Sequence, residues 1–274
     1  MDYIILDLEW NQPLSYNSSA YKSVGGKLLF EMIQIGAIKL NDRLEIIDTF
    51  NQLIQPTHYV KLHPRIKRIT GISQDQLCDA PQFCEAAQRF HAWCGTDCAL
   101  LTWGCDDVSV FQQNLDFFAY SEPFPQMYDL QRLYAAEMGR SGQVALKAAM
   151  ETLGIDPDED RSFHNAKDDA YYTALVWQKL PHPEKVLQYE EHAKKLGHSE
   201  RRSRLRFSET VPSVKEALAS DKLTAPRCPT CQQPTQLKTE LIPQAAGRFV
   251  ALAECAHHGP LFLQARFALL PDGQ

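Results

Sequence analysis

The N-terminal segment of this 274-residue chain places two carboxylates at the end of a run of apolar, β-prone residues. Residues 3–6 have the composition of a buried central strand, and Asp7 and Glu9 follow them. Because residues i and i+2 of a strand share a face, we expect the two carboxylates to project together. Two like charges at this separation oppose each other's ionisation unless a cation lies between them. The segment therefore predicts a divalent-cation site at the end of a buried strand.

A second acidic pair follows another predicted strand. Residues 99–103 are apolar enough for a buried strand, and Asp106 and Asp107 lie just past its C-terminal end. Either aspartate could be a cation ligand while the other caps the following helix. Carboxylate oxygens are hard ligands, which suit Mg²⁺ or Mn²⁺ better than Zn²⁺.

The third acidic segment lies at the start of a predicted helix. Apolar residues at helical spacing indicate a helix over 165–180. His164 precedes its first turn, and Asp168 and Asp169 lie within that turn. Carboxylates in a first turn are also stabilised by the helix dipole, so Asp168 has a structural explanation beside a role in the site.

In this order, the three segments resemble the motifs of the DEDDh 3′-5′ exonucleases. That family includes RNase T, the proofreading subunit of DNA polymerase III and the Eri-type and KapD-type exonucleases. Asp7-Leu8-Glu9 fits the first motif. Asp107 fits the second better than its neighbour does, because Phe111 follows it by four residues. His164 and Asp169, five residues apart, fit the third.

The flanking sequence supports the same resemblance over about residues 1–180. Residues 31–37 and 69–72 resemble the second strand of the family and its post-strand turn. Trp10 is a departure, because many relatives have threonine after the motif's glutamate. A tryptophan at this place could stack on the terminal base of a substrate or could pack in the core.

The resemblance implies a fold, an activity and a set of site residues. The fold is α/β, an RNase H-like mixed sheet flanked by helices. The activity is 3′-5′ exonuclease cleavage of single-stranded RNA or DNA that releases nucleoside 5′-monophosphates, with RNA favoured over DNA. Two Mg²⁺ or Mn²⁺ ions would be held by four carboxylates, with His164 as general base: Asp7, Glu9, Asp107 and Asp169. The alternatives are a DNA proofreading or repair exonuclease and a catalytically inactive exonuclease-fold adaptor that binds RNA.

Periodicity and turn residues predict the order of the remaining elements. Strands are expected over residues 2–8, 31–40, 47–54, 98–103 and 126–129. Helices are expected over 64–69, 81–94, 107–119, 129–138, 143–153, 165–180 and 182–196, and residues 11–27 are expected to form a loop.

The C-terminal tail carries a second set of metal-ligand residues. Cys228 and Cys231 form a C-x-x-C pair, and Cys255 and His258 form a C-x-x-H pair. Three short strands are expected over 235–241, 248–254 and 261–268. The spacing predicts structural Zn²⁺ in a zinc-ribbon-like β domain, with His257 as an alternative to His258.

Charge is distributed unevenly along the chain. Residues 1–193 contain 16 basic and 27 acidic residues, residues 194–227 contain 9 and 4, and residues 228–274 contain 3 and 3. We expect an exonuclease domain over 1–196, a basic linker over 197–225 and a zinc-ribbon-like domain over 226–274. The linker arginines would hold the substrate strand upstream of its 3′ end: Arg201, Arg202, Arg204 and Arg206. Alternatively, these arginines are only solvated and the ribbon binds a protein partner.

No segment of the sequence is long and apolar enough to span a membrane, and the N-terminus lacks the features of a signal peptide. We therefore expect a cytoplasmic protein without a membrane partner.

Overall fold

The chain divides into two compact units, Met1–Gly197 and His198–Gln274. The computed structural model describes residues 1–16, 18–194, 196, 203–211, 214–224, 226–228, 231–245, 248–257 and 259–269. None of the helices in the described part of the chain has the length and apolar character needed to cross a lipid bilayer.

The first unit is built on a six-stranded mixed sheet with the order β3-β2-β1-β4-β5-β6. The strands are β1 (Asp2–Asn11), β2 (Glu31–Leu40), β3 (Ile46–Leu53), β4 (Cys98–Thr102), β5 (Met127–Asp129) and β6 (Glu190–Glu191). Strand β1 pairs antiparallel with β2 and parallel with β4. The central position of β1 follows from its sequence, because Ile4 and Ile5 point to opposite faces and are both fully buried.

Helices cover both faces of this sheet. They are α1 (Ser19–Ser23), α2 (Pro64–Thr70), α3 (Gln74–Cys78), α4 (Phe83–Cys94), α5 (Asp106–Phe117), α6 (Leu130–Glu137), α7 (Leu146–Thr152) and α8 (Ala166–Gln178). Ile5 and Leu101 pack with α6, α7 and α8 on one face, while Ile4 and Leu100 pack with α4 and α5 on the other. The predicted α/β fold with a mixed sheet flanked by helices is confirmed.

A glycine lets α8 approach the sheet closely. A Cβ atom at Gly36 of β2 would lie 2.1 Å from the backbone carbon of Ala166, the first residue of α8. The backbone N–H of Ala166 also donates to Oε1 of Gln34 at 3.3 Å. These contacts fix the first turn of α8, which carries Asp169, against the strands beside β1.

The predicted helix over 182–196 is wrong. Pro183–Gln188 form a 3₁₀ helix, and Glu190–Glu191 then pair antiparallel with β5. The backbone N–H of Asp129 donates to the carbonyl of Tyr189 at 2.9 Å. The chain extends here because β5 would otherwise leave an unpaired edge. Within the predicted loop over 11–27, Ser19–Ser23 form a helical turn capped by the hydroxyl of Ser18.

The second unit is a five-stranded sheet with two short helices. Its elements are β7 (Ser203–Val211), α9 (Val214–Ala219), α10 (Asp221–Thr224), β8 (Gln236–Leu237), β9 (Ile242–Ala245), β10 (Arg248–Cys255) and β11 (Gly259–Leu269). The order is β7-β11-β10-β8, and β9 also pairs with β10. Leu223 of α10 packs with Phe249 and Leu263 in the core of this unit.

Two predictions for the C-terminal part of the chain are wrong. The segment 197–225 was expected to be a linker, but Ser203–Val211 pair in parallel with β11 over nine residue pairs. The strand predicted over 235–241 is shortened to β8, because the N–H groups of Lys238 and Thr239 both donate to the carbonyl of Leu252, and β9 follows the predicted range. The β unit is thus larger than a ribbon over 226–274.

Candidate active site

Carboxylates from three separate segments converge at the end of β1. Asp7 and Glu9 share one face of β1, and Asp169 lies in the first turn of α8. Each of these three residues offers a carboxylate oxygen that lies within 4.8 Å of the other two. Together with Asp107 and His164 they line a cavity of about 370 Å³. The spacing of hard oxygen donors fits a divalent cation such as Mg²⁺ or Mn²⁺.

The carboxylates in this cavity resist ionisation. Burial, followed by the charges of Asp107, Asp169 and Glu9, raises the pKa of Asp7 well above its usual range. Burial and then the charges of Asp169 and Asp107 raise the pKa of Glu9 to about 8. Such perturbed groups gathered in one cavity are typical of a functional site, and bound cations would relieve the repulsion.

Asp107 lies in the first turn of α5 and links that helix to the central strand. Its Oδ1 atom accepts a hydrogen bond from the backbone N–H of Leu8 at 3.0 Å. Burial raises the pKa of Asp107 to about 7, although the hydrogen bond from Leu8 opposes the shift. The neighbouring Asp106 is exposed and does not line the cavity. The structure therefore brings Asp107, and not Asp106, to the other carboxylates.

His164 and Asp169 are joined by a backbone hydrogen bond. The backbone N–H of His164 donates to Oδ2 of Asp169 at 3.0 Å. Burial raises the pKa of Asp169 to about 6, although this hydrogen bond acts to lower it. His164 has a φ of 62°, in the left-handed region, and its side chain is exposed at the cavity. A non-glycine residue rarely adopts this conformation, and such strain is common at functional sites.

One oxygen of Asp169 lacks a protein partner. Its Oδ1 atom is buried and accepts no hydrogen bond from the part of the chain that the structure describes, and Asp169 is one of the three residues whose carboxylates come together at β1. A buried carboxylate oxygen without a partner is costly. A cation in the cavity would satisfy it, so the donor set fits the divalent metal that the sequence predicts.

Asp168 faces away from this group. Its Oδ1 atom lies 3.0 Å from Nη1 of Arg161, and its Oδ2 atom accepts from the backbone N–H of Ser162 at 3.2 Å. The side chain is buried and does not line the cavity. Asp168 therefore fixes the segment before α8 rather than contributing to the carboxylate group.

Trp10 lines the same cavity although it directly follows Glu9. Consecutive strand residues normally point to opposite faces. The pairing of β1 with β2 shifts register between Glu9 and Trp10, so Trp10 pairs with Met32 and Ile33 is bypassed. The indole ring packs on the core that contains Leu8, and it contacts Phe30 at 5.9 Å between centroids.

The sequence did not identify the residues of α2 that line the cavity. Arg65, Ile66 and Ile69 of this helix line the cavity, as does Gln12. Among the described residues that do so, Arg65 is the only lysine or arginine. The basic composition of residues 61–68 is the signal that could have identified it.

Two buried polar residues hold the segment before α2 in place. Asn11 donates from its side-chain amide to the carbonyls of Tyr59 and Lys61 and accepts from the N–H of His63. The carboxylate of Glu31 accepts backbone hydrogen bonds over residues 57–59. These bonds orient α2 toward the end of β1.

The second unit contains a cluster of three cysteine thiols. The Sγ atoms of Cys228, Cys231 and Cys255 lie within 4.8 Å of one another, and those of Cys231 and Cys255 are 3.6 Å apart. Tetrahedral zinc with Zn–S bonds of about 2.3 Å requires sulfur separations of about 3.8 Å, so the cluster fits zinc. His257 is exposed, and His258 lies outside the described residues.

The predicted substrate-binding arginines are only partly described. Arg204 and Arg206 lie in β7, opposite Phe262 and Gln264 of β11. Arg201 and Arg202 lie outside the described residues.

Residues 22–177 match the exonuclease family named RNase T. The chain belongs to this family. The matched range contains Asp107, His164 and Asp169, whereas Asp7 and Glu9 precede it and join those residues through the geometry described above. The resemblance to DEDDh 3′-5′ exonucleases is confirmed, and the chain is a 3′-5′ exonuclease, a hydrolase of phosphodiester bonds.

Individual relatives agree with this assignment. The chain is 30% identical over 142 residues to the probable 3′-5′ exonuclease KapD of Bacillus subtilis, covering 51% of this chain and 68% of that one. It is 25% identical over 151 residues to the PolC-type DNA polymerase III of Oceanobacillus iheyensis, covering 54% of this chain but only 10% of the polymerase. The nuclease domain of 3′hExo, a DEDDh family member, superposes with a TM-score of 0.56 at 25% identity, covering 65% of this chain and 90% of that domain.

Proposed function

We propose that this DEDDh exonuclease shortens single-stranded nucleic acid from the 3′ end, with RNA preferred over DNA, and releases nucleoside 5′-monophosphates. The observation that carries the proposal is the convergence of Asp7, Glu9, Asp107, Asp169 and His164 in one cavity. The complete set also argues against an inactive adaptor, because such a protein would have no need to hold four mutually repelling carboxylates together.

The four carboxylates would hold Mg²⁺ or Mn²⁺ ions. Bound divalent cations would neutralise the charge that develops on the attacking and leaving oxygens of the phosphodiester. Asp7 and Glu9 supply oxygens from the rigid central strand, and Asp107 and Asp169 from the first turns of two helices. Elements packed into a common core keep these oxygens in place during the reaction.

His164 would act as general base. A ring nitrogen of its imidazole takes a proton from the attacking water as the water oxygen bonds to phosphorus. The bond between phosphorus and the 3′ oxygen breaks, and the leaving oxygen takes a proton from solvent. Histidine ordinarily titrates near neutral pH, which suits it to this transfer. The hydrogen bond from the His164 backbone to Asp169 orients the residue beside the carboxylates.

Trp10 and Arg65 would bind the terminal nucleotide. The exposed guanidinium of Arg65 can pair with a phosphate oxygen at the cavity, and the indole of Trp10 offers a surface for base stacking. Together they would offset the repulsion between the acidic cavity and a polyanionic strand.

The preference for RNA is supported by a structural relative. The 3′hExo nuclease domain was solved with bound rAMP, a ribonucleotide. The second candidate, a DNA proofreading exonuclease, is favoured by the similarity to PolC-type DNA polymerase III.

Matched RNA and DNA single strands, labelled at the 5′ end, test the proposal. Stepwise shortening with Mg²⁺ or Mn²⁺, faster on RNA and lost in excess chelator, is the expected result. Asp7→Asn should abolish it, while Asp106→Asn, a matched change at an exposed carboxylate, should retain most activity. Faster shortening of DNA would favour proofreading, and shortening that persists in chelator or in Asp7→Asn would contradict the proposed site.

The C-terminal cluster would hold structural zinc. Cys228, Cys231 and Cys255 are the proposed ligands, with His258 as the fourth and His257 as the alternative. Their close sulfur atoms support the proposal.

A further inference from the structure

The sheet of the second unit has one buried face and one exposed face. In β11, Leu261, Leu263 and Ala265 are buried, whereas the alternating Gln264 and Arg266 are exposed. In β10, the odd-numbered residues from Phe249 to Cys255 are buried in the same way. Helix α10 packs on the buried side through Leu223.

Arginine positions gather on the other face. Arg248 of β10 pairs with Arg266 of β11, and both side chains are exposed. Register places Arg204 and Arg206 of β7 opposite Phe262 and Gln264, the alternating positions that share that face. Four arginine positions on neighbouring strands thus lie on one side of a single sheet.

Acidic charge on this face is offset. On the exposed face of β10, the acidic residue is Glu254. Its carboxylate lies 2.6 Å from Nζ of Lys238, which neutralises its charge. Half-buried Phe262 of β11 adds an aromatic ring on this face, opposite the Arg204 position of β7. Residues 1–193, by contrast, contain 16 basic and 27 acidic residues.

We infer that this exposed sheet face binds the single-stranded nucleic acid substrate upstream of the 3′ end that enters the catalytic cavity. The inference rests on the proposed function. Arginines on the face would pair with successive phosphates, while Phe262 would stack on a base. This combination of charge and ring suits a flexible single strand, whose bases are free to stack, better than a duplex.

The test measures binding by the full-length chain without added Mg²⁺ or Mn²⁺, which prevents hydrolysis, and without chelator, which would remove zinc from the second unit. The probe is a labelled single strand of about 20 nucleotides, longer than the roughly 4–16 that one such platform covers. Arg248→Gln combined with Arg266→Gln should weaken binding and make the slope of log affinity against log salt shallower by up to about 1.4, because two phosphate contacts are lost. Phe262→Leu, which retains apolar volume but loses the ring, should weaken binding about fivefold or more.

Two control variants distinguish the loss of positive charge on this face from a general loss of charge or from misfolding. Arg43→Gln combined with Arg89→Gln removes the same charge from exposed sites of the first unit and should leave the salt slope unchanged. Arg248→Lys combined with Arg266→Lys keeps the charge and should keep most of the affinity.

Hydrolysis of a dinucleotide, measured with Mg²⁺, distinguishes this inference from the proposed function. The face variants should cleave the dinucleotide normally, because the residues proposed to bind and cleave its single phosphodiester all belong to the first unit. Normal dinucleotide cleavage with unchanged affinity and salt slope for the long strand would overturn the inference alone and leave a protein partner for this face. Failure of the unaltered chain to cleave either substrate would contradict the proposed function.

Discussion

Two pairs of adjacent aspartates differ in environment, and the difference decides what each one can do. Asp107 and Asp169 line the cavity at the end of β1, Asp106 is exposed, and Asp168 is paired with Arg161. The helix periodicity alone could not separate such neighbours, because both lie in a first helical turn where carboxylates are favoured.

Asp169→Asn should abolish turnover while Asp168→Asn reduces stability. The first change removes a charged oxygen from the carboxylate group. The second removes a buried ion-pair partner of Arg161 and should lower the free energy of unfolding by about 1–3 kcal/mol. Steady-state kcat and chemical denaturation of both variants check this. Greater loss of kcat in Asp168→Asn than in Asp169→Asn would shift the assignment by one residue.

His164→Ala should slow the chemical step by roughly 10²–10⁴-fold and leave Mn²⁺ binding intact, because the residue is proposed to move a proton rather than to bind metal. Single-turnover kinetics gives the rate, and titration calorimetry gives the affinity for Mn²⁺. An alanine variant that no longer binds Mn²⁺ would make His164 a ligand instead.

The protonation of Glu9 should make stability depend on pH. Its folded-state pKa of about 8 lies above the unfolded value of about 4.3, so the folded chain binds a proton that the unfolded chain has lost. The stabilising contribution is complete below about pH 4 and is lost as pH rises through about 8. Asp107 and Asp169, with raised pKa values of about 7 and about 6, add to the same trend.

Without added Mg²⁺ or Mn²⁺, the first unit should therefore be less stable at pH 8 than at pH 5, and Glu9→Gln should reduce the difference. Denaturant unfolding at the two pH values measures it for both proteins. Adding Mg²⁺ should raise stability at pH 8 in the unaltered chain, because a cation offsets the carboxylate repulsion. Equal pH dependence in Glu9→Gln and the unaltered chain would show that Glu9 ionises normally in the folded state.

Residue-level prediction worked where the signal was local in sequence. Asp7 and Glu9 could be paired because strand periodicity puts them on one face. Arg65 could not be placed at the same cavity from the sequence, because its position depends on the hydrogen bonds of Asn11 and Glu31 to the segment before α2.

At the scale of elements, the contact between β2 and α8 sets the geometry of the site. Gly36 permits it, since any side chain would overlap the backbone at Ala166 and Lys167. The sequence predicted both elements, but their close approach depends on tertiary packing that no local pattern specifies.

Gly36→Ala should reduce both stability and kcat, because the new Cβ displaces the first turn of α8 and with it Asp169. The overlap involves backbone atoms at 2.1 Å, so the neighbouring helix must move. Overpacking of this kind typically costs about 1–3 kcal/mol. Thermal unfolding and turnover of the variant measure the two effects. Ala37→Gly, a change of similar size at the next residue of β2, controls for general loss of strand stability; its activity should persist.

Sequence periodicity also predicted the wrong secondary structure for a segment that pairs with the edge of the sheet. Residues 182–196 had helical periodicity, yet Glu190–Glu191 pair with β5. Pairing with the edge of β5 supplies backbone hydrogen bonds that depend on the tertiary structure. These bonds stabilise the extended conformation more than local sequence preference stabilises a short helix.

For the whole molecule, the proposed catalytic residues and the cysteine cluster belong to different compact units. The resemblance to the exonuclease family predicted the carboxylate set, and residue spacing predicted the cysteine set. The sequence did not predict that β7 joins the second sheet, because a strand's parallel partner far along the chain is not encoded in local periodicity.

Cys255→Ser should remove zinc from the chain without abolishing catalysis. Cys255 is buried at the end of β10 beside Cys228 and Cys231, and serine is a poor zinc ligand. A small β unit with a limited core depends on its metal, so the variant should lose the unfolding transition of the second unit. Dinucleotide cleavage should stay within about twofold of normal, because the proposed catalytic residues lie in the first unit.

Elemental analysis, calorimetric unfolding and dinucleotide turnover test this together. Cys84→Ser, an exposed cysteine of the first unit, is the matched control and should keep its zinc. Retention of zinc and of both unfolding transitions in Cys255→Ser would contradict a structural zinc site. Loss of dinucleotide cleavage with the first unit still folded would instead mean that catalysis depends on the second unit, because Cys255 contributes nothing to the carboxylate cavity.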